Sequence, residues 1–429
     1  MASFELHRTR RGKVGVGPAI APVVALFAAL IAARAVFAQG PSDQAAVGAL
    51  LRTAEQATEI PARADVDSVG PDGPVMTAAL RLEADGAHDL AVAVIDEALQ
   101  VIRATHGLYS LEQAPWLQRM ISNEEARGNA ARAWDVEHEL LDLVRRHPGD
   151  VRVVPILRDV AAKREDILAR YIGGGFPEQI ILGCYYSPRW GRSRGSNCRS
   201  GSRGVVVRAL LSEFRRYYND AVGIILNQGL EYLDELREID RSLVRTSYRY
   251  RHYLGSYEVG RQSLVRLAAI DRMNSEPSLT RMKSLIELVD WDLLFVDGAT
   301  RRSRAERSDA LVERYERAHE RLEREGTPQA SIDQLFSPAL PVVLPTFLPN
   351  PLAATEAQRG SSRYIDASFV VTRLGHSDRI EILETTLGAT ESEMDGLVEL
   401  IQSSRFRPRA TNGQFVDTAP IVVRYHLGP

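Results

Sequence analysis

The sequence predicts a mainly α protein, built of helical-hairpin repeats and closed by a small α+β domain. Three observations carry this. Apolar residues recur at helical spacing through most of the chain, one block of that pattern returns after 42 residues, and beyond a proline-rich stretch the spacing changes to the alternation of strands. The composition agrees: of 429 residues, 45% are hydrophobic and 25% charged, the proportions of a globular chain. A net charge of −3 excludes a globally basic nucleic-acid binder.

Residues 1–38 have the form of a signal peptide. Arg8, Arg10, Arg11 and Lys13 precede an uncharged run from Ala19 to Ala33, and Val36-Phe37-Ala38 offers small side chains where a signal peptidase reads them. The rival reading is a retained inner-membrane anchor. Fifteen apolar residues, however, cover only about 22 Å of helix, against a hydrocarbon core of about 30 Å. The expectation is therefore export to the periplasm, with inner-membrane anchoring as the alternative.

Residues 39–171 carry the repeat. Ala91, Val94, Ile95, Ala98, Leu99 and Ile102 lie on one helical face. Forty-two residues on, Gly86 becomes Gly128, Ala91 becomes Ala133, Val94 becomes Val136, Leu99 becomes Leu141 and Gly107 becomes Gly149. A self-match at fixed period predicts stacked helical hairpins, with Gly86 and Gly128 in the turns where a left-handed residue is needed. The pattern resembles the tetratricopeptide-repeat family in its longer variety, whose helices end in a His-Gly or Pro-Gly step; Ala91, Ala133 and Ala98 stand at its small-residue positions. That resemblance implies roughly three hairpins and a surface for binding proteins.

Ile172 to Gly204 is an irregular, arginine-rich segment. Gly173-Gly174-Gly175 precede Pro177 and Glu178 instead of a Lys-Ser/Thr step, so they end a helix and do not cradle phosphate. Cys184 and Cys198 form an even pair within a loop, which in an exported protein reads as a disulfide; two separate thiols are the alternative. Arg189, Arg192 and Arg194 form a local cationic loop suited to weak contact with an anionic membrane surface, the alternative being a solvated loop.

Residues 205–330 return to helical spacing, through Leu210, Leu211, Phe214, Tyr217 and Tyr218, then Leu264, Leu267 and Ala268, then Met282, Leu285, Ile286 and Val289, then Leu311, Tyr315, Ala318 and Leu322. This second region also looks tetratricopeptide-like. Tyr248 to Tyr253 interleave bases and aromatics, but on a helix they diverge, and no nucleic-acid partner is expected. Residues 331–358, with five prolines between Phe336 and Leu352, read as an extended linker or strap lying along a surface.

Residues 359–429 alternate. Ile365, Ala367, Phe369 and Val371 make one strand, and Ile380 and Ile382 a second. Thr390 with Glu393 opens a helix through Met394, Leu397, Val398 and Ile401. Asn412-Gly413 is a hairpin-type turn, and Ile421, Val423, Tyr425 and Leu427 make a last strand. This order resembles the C-terminal domain of the TonB energy-transducer family, on Gly375, Ser403, Phe406, Pro408, Gly413, Val423 and Tyr425. The resemblance implies docking on a partner's extended segment through a sheet edge, with Ile421, Val423, Tyr425, Phe406 and Pro408 as candidate partner-binding residues.

The sequence supplies no catalytic constellation. His138-Glu139 opens like a zinc-protease helix motif, but Asp142 replaces the second histidine; Asp290 and Asp292 flank Trp291 and do not face each other on a helix. The expected function is that of an exported, non-enzymatic adaptor binding envelope proteins without a cofactor. A membrane-anchored TonB-like transducer and an envelope hydrolase with an unrecognised site are the alternatives. Closing the Cys184–Cys198 loop is worth about 3 kcal/mol. The two cysteines should resist alkylation in native protein until a reductant is added, and free reactivity before reduction counts against the bridge.

Overall fold

The computed structural model describes residues 69–70, 72–175, 203–253, 255–273, 279–295, 301–336, 338, 341–353, 362–386, 388–411 and 414–427. The signal segment, Cys184 with Cys198, Arg189, Arg192, Arg194 and the Asn412-Gly413 step lie outside the described residues. The chain is mainly helical, with a small sheet-containing C-terminal region. It divides into two compact units, residues 1–210 and 211–429.

Among the described residues the first unit is a succession of helices, the first four packing in chain order: α1 (Pro74–Ala84), α2 (His88–His106), α3 (Ala114–Ala126), α4 (Ala130–Arg146) and α5 (Val153–Ile172). Pro74 and Pro115 stand in the first turns of α1 and α3, where a missing N–H costs nothing. The turn into α2 carries Gly86 at φ +72° and the turn into α4 carries Gly128 at φ +73°, a conformation that strains any residue with a Cβ. α2 begins at His88 and α4 at Ala130, 42 residues later. Ala91, Ile95, Ala98, Leu99 and Ile102 are buried along one face of α2, and Ala133, Val136, Leu140 and Leu141 along α4. A charge is buried here as well. Glu137 of α4 meets Arg164 and Lys163 of α5, and although burial works to raise its carboxyl, these two cations hold it below the usual range.

The second unit continues with α6 (Arg203–Gln228, the division falling within it), α7 (Leu233–Arg249), α8 (Ser256–Met273), α9 (Leu279–Leu294), α10 (Arg301–Arg324) and α11 (Gln329–Phe336). α7 to α10 pack in chain order. Trp291 of α9 is buried, and a Cβ at Gly260 of α8 would come within 2.1 Å of its ring, so only glycine lets these helices approach so closely.

Among the described residues seven strands follow: β1 (Val343–Leu344), β2 (Tyr364–Val371), β3 (Ser377–Thr385), β4 (Arg405–Phe406), β5 (Arg409–Thr411), β6 (Gln414–Val416) and β7 (Ile421–His426), with α12 (Glu391–Ser403) between β3 and β4. β3, β2 and β7 form an antiparallel sheet in that order, and the β2–β3 register slips twice, between Asp366 and Ala367 and between Ser368 and Val370. Ile365, Ala367, Phe369 and Val371 face α12, whose Leu397 and Ile401 close the core. α12 opens with the capping box: Thr390 N–H donates to Glu393 at 2.8 Å, and Glu393 N–H to Thr390 Oγ1 at 3.3 Å.

The stretch expected as a linker from residue 331 begins inside α11 and then supplies β1, which pairs with β4 as Val343 with Phe406 and Leu344 with Arg405. Its apolar side chains explain the difference, for Leu335, Phe336, Val343 and Leu344 are all buried. β5 and β6 form a hairpin whose Phe415 packs between Tyr315 of α10 and Phe336 of α11, with ring centroids 5.3 and 5.6 Å away. The sheet region is thus built onto the helices. Gly375, in the β2–β3 turn at φ +73°, accepts the Phe406 N–H at 2.9 Å, and a Cβ there would lie 2.1 Å from the Phe406 carbonyl.

The tightest link is polar. Arg407 donates to both oxygens of Asp290, at 3.1 Å from Nε and 2.5 Å from Nη2, and to the Leu335 carbonyl at 3.1 Å. Tyr315 donates to the same carboxylate at 2.7 Å, and burial, with the Asp290 charge behind it, pushes its hydroxyl well above the ordinary value. Replacing Arg407 by Met strands a buried carboxylate and should cost about 3–5 kcal/mol in urea unfolding. Adding Asp290→Leu should restore most of that loss, because the orphaned charge leaves with its partner.

Candidate functional site

The sheet-edge expectation rests on where β7 lies and which way its backbone faces. β7 pairs with β2 alone, and among the described residues no strand lies on its other side. The phase of the ladder follows from one bond. Leu427 N–H donates to the Arg363 carbonyl at 3.0 Å, and the register runs on from there through Ile365 with Tyr425, Ala367 with Val423 and Phe369 with Ile421. Hydrogen-bonded pairs alternate in an antiparallel ladder, so the amides of Tyr425, Val423 and Ile421 point inward. Those of Val422, Arg424 and His426 point away, to the open edge. The opposite side of β2 agrees, since Tyr364 exchanges bonds with Thr386 at 2.9 and 3.1 Å across the β3 side.

Side chains follow the same alternation. Ile421 and Val423 are buried and Tyr425 is half-buried against the core, whereas Val422 is 53% exposed. The exposed side chains of the edge are therefore Val422 and Arg424, with His426 half-buried beside them. Phe406 and Pro408 are placed differently from the expectation of a partner surface. Phe406 is fully buried, its ring 5.3 Å from that of Phe369, and Pro408 is buried beside it in sequence. The Phe406 ring sits in the core shared by β2, β7 and α12, so it is not displayed at the β7 edge.

The edge has its own electrostatic fixture. Arg424 grips Asp366 with two bonds of 2.8 and 2.7 Å and lies 3.8 Å over the Tyr364 ring. The sequence signal for this pairing is Asp366, a charged residue within the apolar run from Ile365 to Val371. His426 Nδ1 is buried with no hydrogen-bond partner among the described residues.

Other sequence candidates separate in space. His138 Nδ1 bonds to the Trp134 carbonyl at 2.8 Å, while Glu139 pairs with Arg103 and Asp142 with Arg145, so the three groups serve three local contacts. Asp290 belongs to the Arg407 node, and Asp292 takes Tyr257 Oη at 2.5 Å together with Arg314. Tyr250 is buried, and Tyr248 meets Phe347 edge-on at 5.9 Å, so these aromatics do not form a stacking surface. Among the described residues no cluster of His, Cys, Asp or Glu could hold a metal ion, and no helix is long and apolar enough to cross a membrane.

Hydrogen bonding from Arg424 lowers the Asp366 carboxyl below its ordinary 3.8. A depressed folded-state value means that this pair stabilises the sheet fully above pH 3.8 and loses its contribution as the pH falls through the lower value. Arg424→Ala should return the Asp366 titration toward 3.8 in carboxyl NMR and shift the acid-unfolding limb to higher pH.

The chain matches no protein-family model, and no curated protein matches it.

Proposed function

We propose that this chain is a non-enzymatic adaptor of the bacterial cell envelope that captures an extended segment of a partner protein by strand addition to β7. The observation that carries the reading is the outward row of backbone groups at Val422, Arg424 and His426, which a partner strand can pair. Val422 adds an exposed apolar side chain, favouring a partner with a small apolar residue opposite. Arg424 is already neutralised by Asp366, so affinity comes from the backbone ladder more than from charge.

The helical hairpins support a tetratricopeptide-like first region, through the glycine turns and the 42-residue offset between α2 and α4. The order β2, β3, α12 and β7, with Gly375 tied to Phe406, supports a TonB C-terminal-like module. Export rests on the sequence of residues 1–38.

Two proline substitutions one residue apart test the edge. Val422→Pro removes an outward donor and leaves the β2 ladder intact, so the fold should persist by circular dichroism while partner capture from envelope extracts is lost. Val423→Pro removes an inward donor and leaves the Ala367 carbonyl without its partner, which should destabilise the sheet by about 1–3 kcal/mol. Capture of the same partners by folded Val422→Pro protein would overturn strand addition at this edge.

A further inference from the structure

A second surface of the same unit has the makings of a small-molecule site. α8, α9 and α10 pack side by side, and a cleft of about 290 Å³ lies across them. That is near the lower end of ligand clefts, roughly 300–1,000 Å³. Its floor is apolar: Leu285, Leu288 and Val289 form a helical stripe on α9, and Ala318 with Leu322 completes it from α10.

Its rim is cationic. α8 contributes Arg261 and Arg272, three turns apart on one face, and α10 contributes Arg314, Arg317 and Arg321, also on one face. The only carboxylate lining the cleft among the described residues is Asp292, which Arg314 contacts and Arg261 approaches at 3.6 Å. Among the described residues Arg317 and Arg321 pair with glutamates of their own helix, at 3.8 and 2.8 Å, and Arg317 is exposed while Arg321 is half-buried. Arg272 makes no hydrogen bond or ion pair among the described residues.

A ring of guanidinium groups above an apolar floor is complementary to a molecule with an anionic head and an apolar tail, because guanidinium takes a carboxylate by two parallel bonds while the floor removes the tail from water. We propose that this cleft binds a single-chain carboxylate amphiphile, head toward Arg272 and Arg317 and tail along Leu285 and Leu288. The volume suits one alkyl chain and not a peptide helix about 10–12 Å across. This site is separate from β7 and does not depend on strand addition.

The test is calorimetric titration of the full chain with dodecanoate below its micelle concentration, beside dodecyltrimethylammonium and acetate. Dodecanoate should bind saturably at one per chain, and the cation of equal tail length and the tailless acetate at least about tenfold more weakly. Arg272→Glu with Arg317→Glu, both on exposed positions, should weaken dodecanoate by at least about tenfold at unchanged helicity. If that pair loses helicity, Arg272→Gln with Arg317→Gln gives the same reading with less repulsion. Equal binding of the cationic amphiphile, unchanged binding by the folded arginine variants, or no saturable binding of dodecanoate would each overturn the proposal. Binding of an acidic amphipathic peptide in place of dodecanoate would also overturn it, in favour of protein docking. Val422→Pro should leave dodecanoate binding untouched, so failure here and failure at the sheet edge are told apart.

Discussion

Asp290 accepts hydrogen bonds from Arg407 and Tyr315 where water is excluded, and through them one carboxylate fixes α9, α10 and the chain between β4 and β5. Such a pair adds less net stability than its Coulomb energy suggests, because both charges were better hydrated in the unfolded chain. Its value lies in what it forbids. Any arrangement that moves the β4–β5 connection away from α9 leaves a bare charge in an apolar setting, so the packing of sheet on helices is settled by exclusion. Nearby Glu287 feels the same environment: burial, and after it the Asp290 charge, raises its carboxyl above the ordinary value.

That constraint changes how the C-terminal region is understood. A linker over residues 331–358 would leave residues 359–429 as a separate module, yet a Cβ on Gly375 would come within 3.1 Å of Leu293 of α9, and Phe415 packs on α10 and α11. The open edge of β7 is therefore presented by a sheet whose position is set by helices far earlier in the chain. An open edge on a loosely tethered hairpin would lose entropy on docking; here that ordering is already complete before a partner arrives.

Local signals were legible and distant ones were not. Alternation at Ile365, Ala367, Phe369 and Val371 showed the buried face of β2, and Thr390 with Glu393 marked the start of α12, because strand period and capping are properties of a few consecutive residues. Gly86 and Gly128 announced their turns for the same reason. Asp290 and Arg407 are 117 residues apart, and nothing in either neighbourhood names the other. Phe406 enters the partner-binding set through the TonB resemblance, but its burial depends on β1 arriving from the proline-rich stretch. Likewise the inward and outward amides of β7 alternate with the register to β2, and the arginine-rimmed cleft gathers residues from three helices, so neither could be read from one segment.

The two sides of the sheet are unlike. β3 carries two register slips, a positive φ at Arg379, and acidic residues at Asp378, Glu381 and Glu384, features that spoil a strand edge as a template. β7 has a continuous six-residue register and no such interruption. A sheet blunted on one side and open on the other cannot pass growth through itself: even a second copy pairing β7 against β7 would leave only the two blunted β3 edges facing outward. Pairing at β7 would thus terminate after a single addition, so the open edge does not make the chain the seed of a fibre.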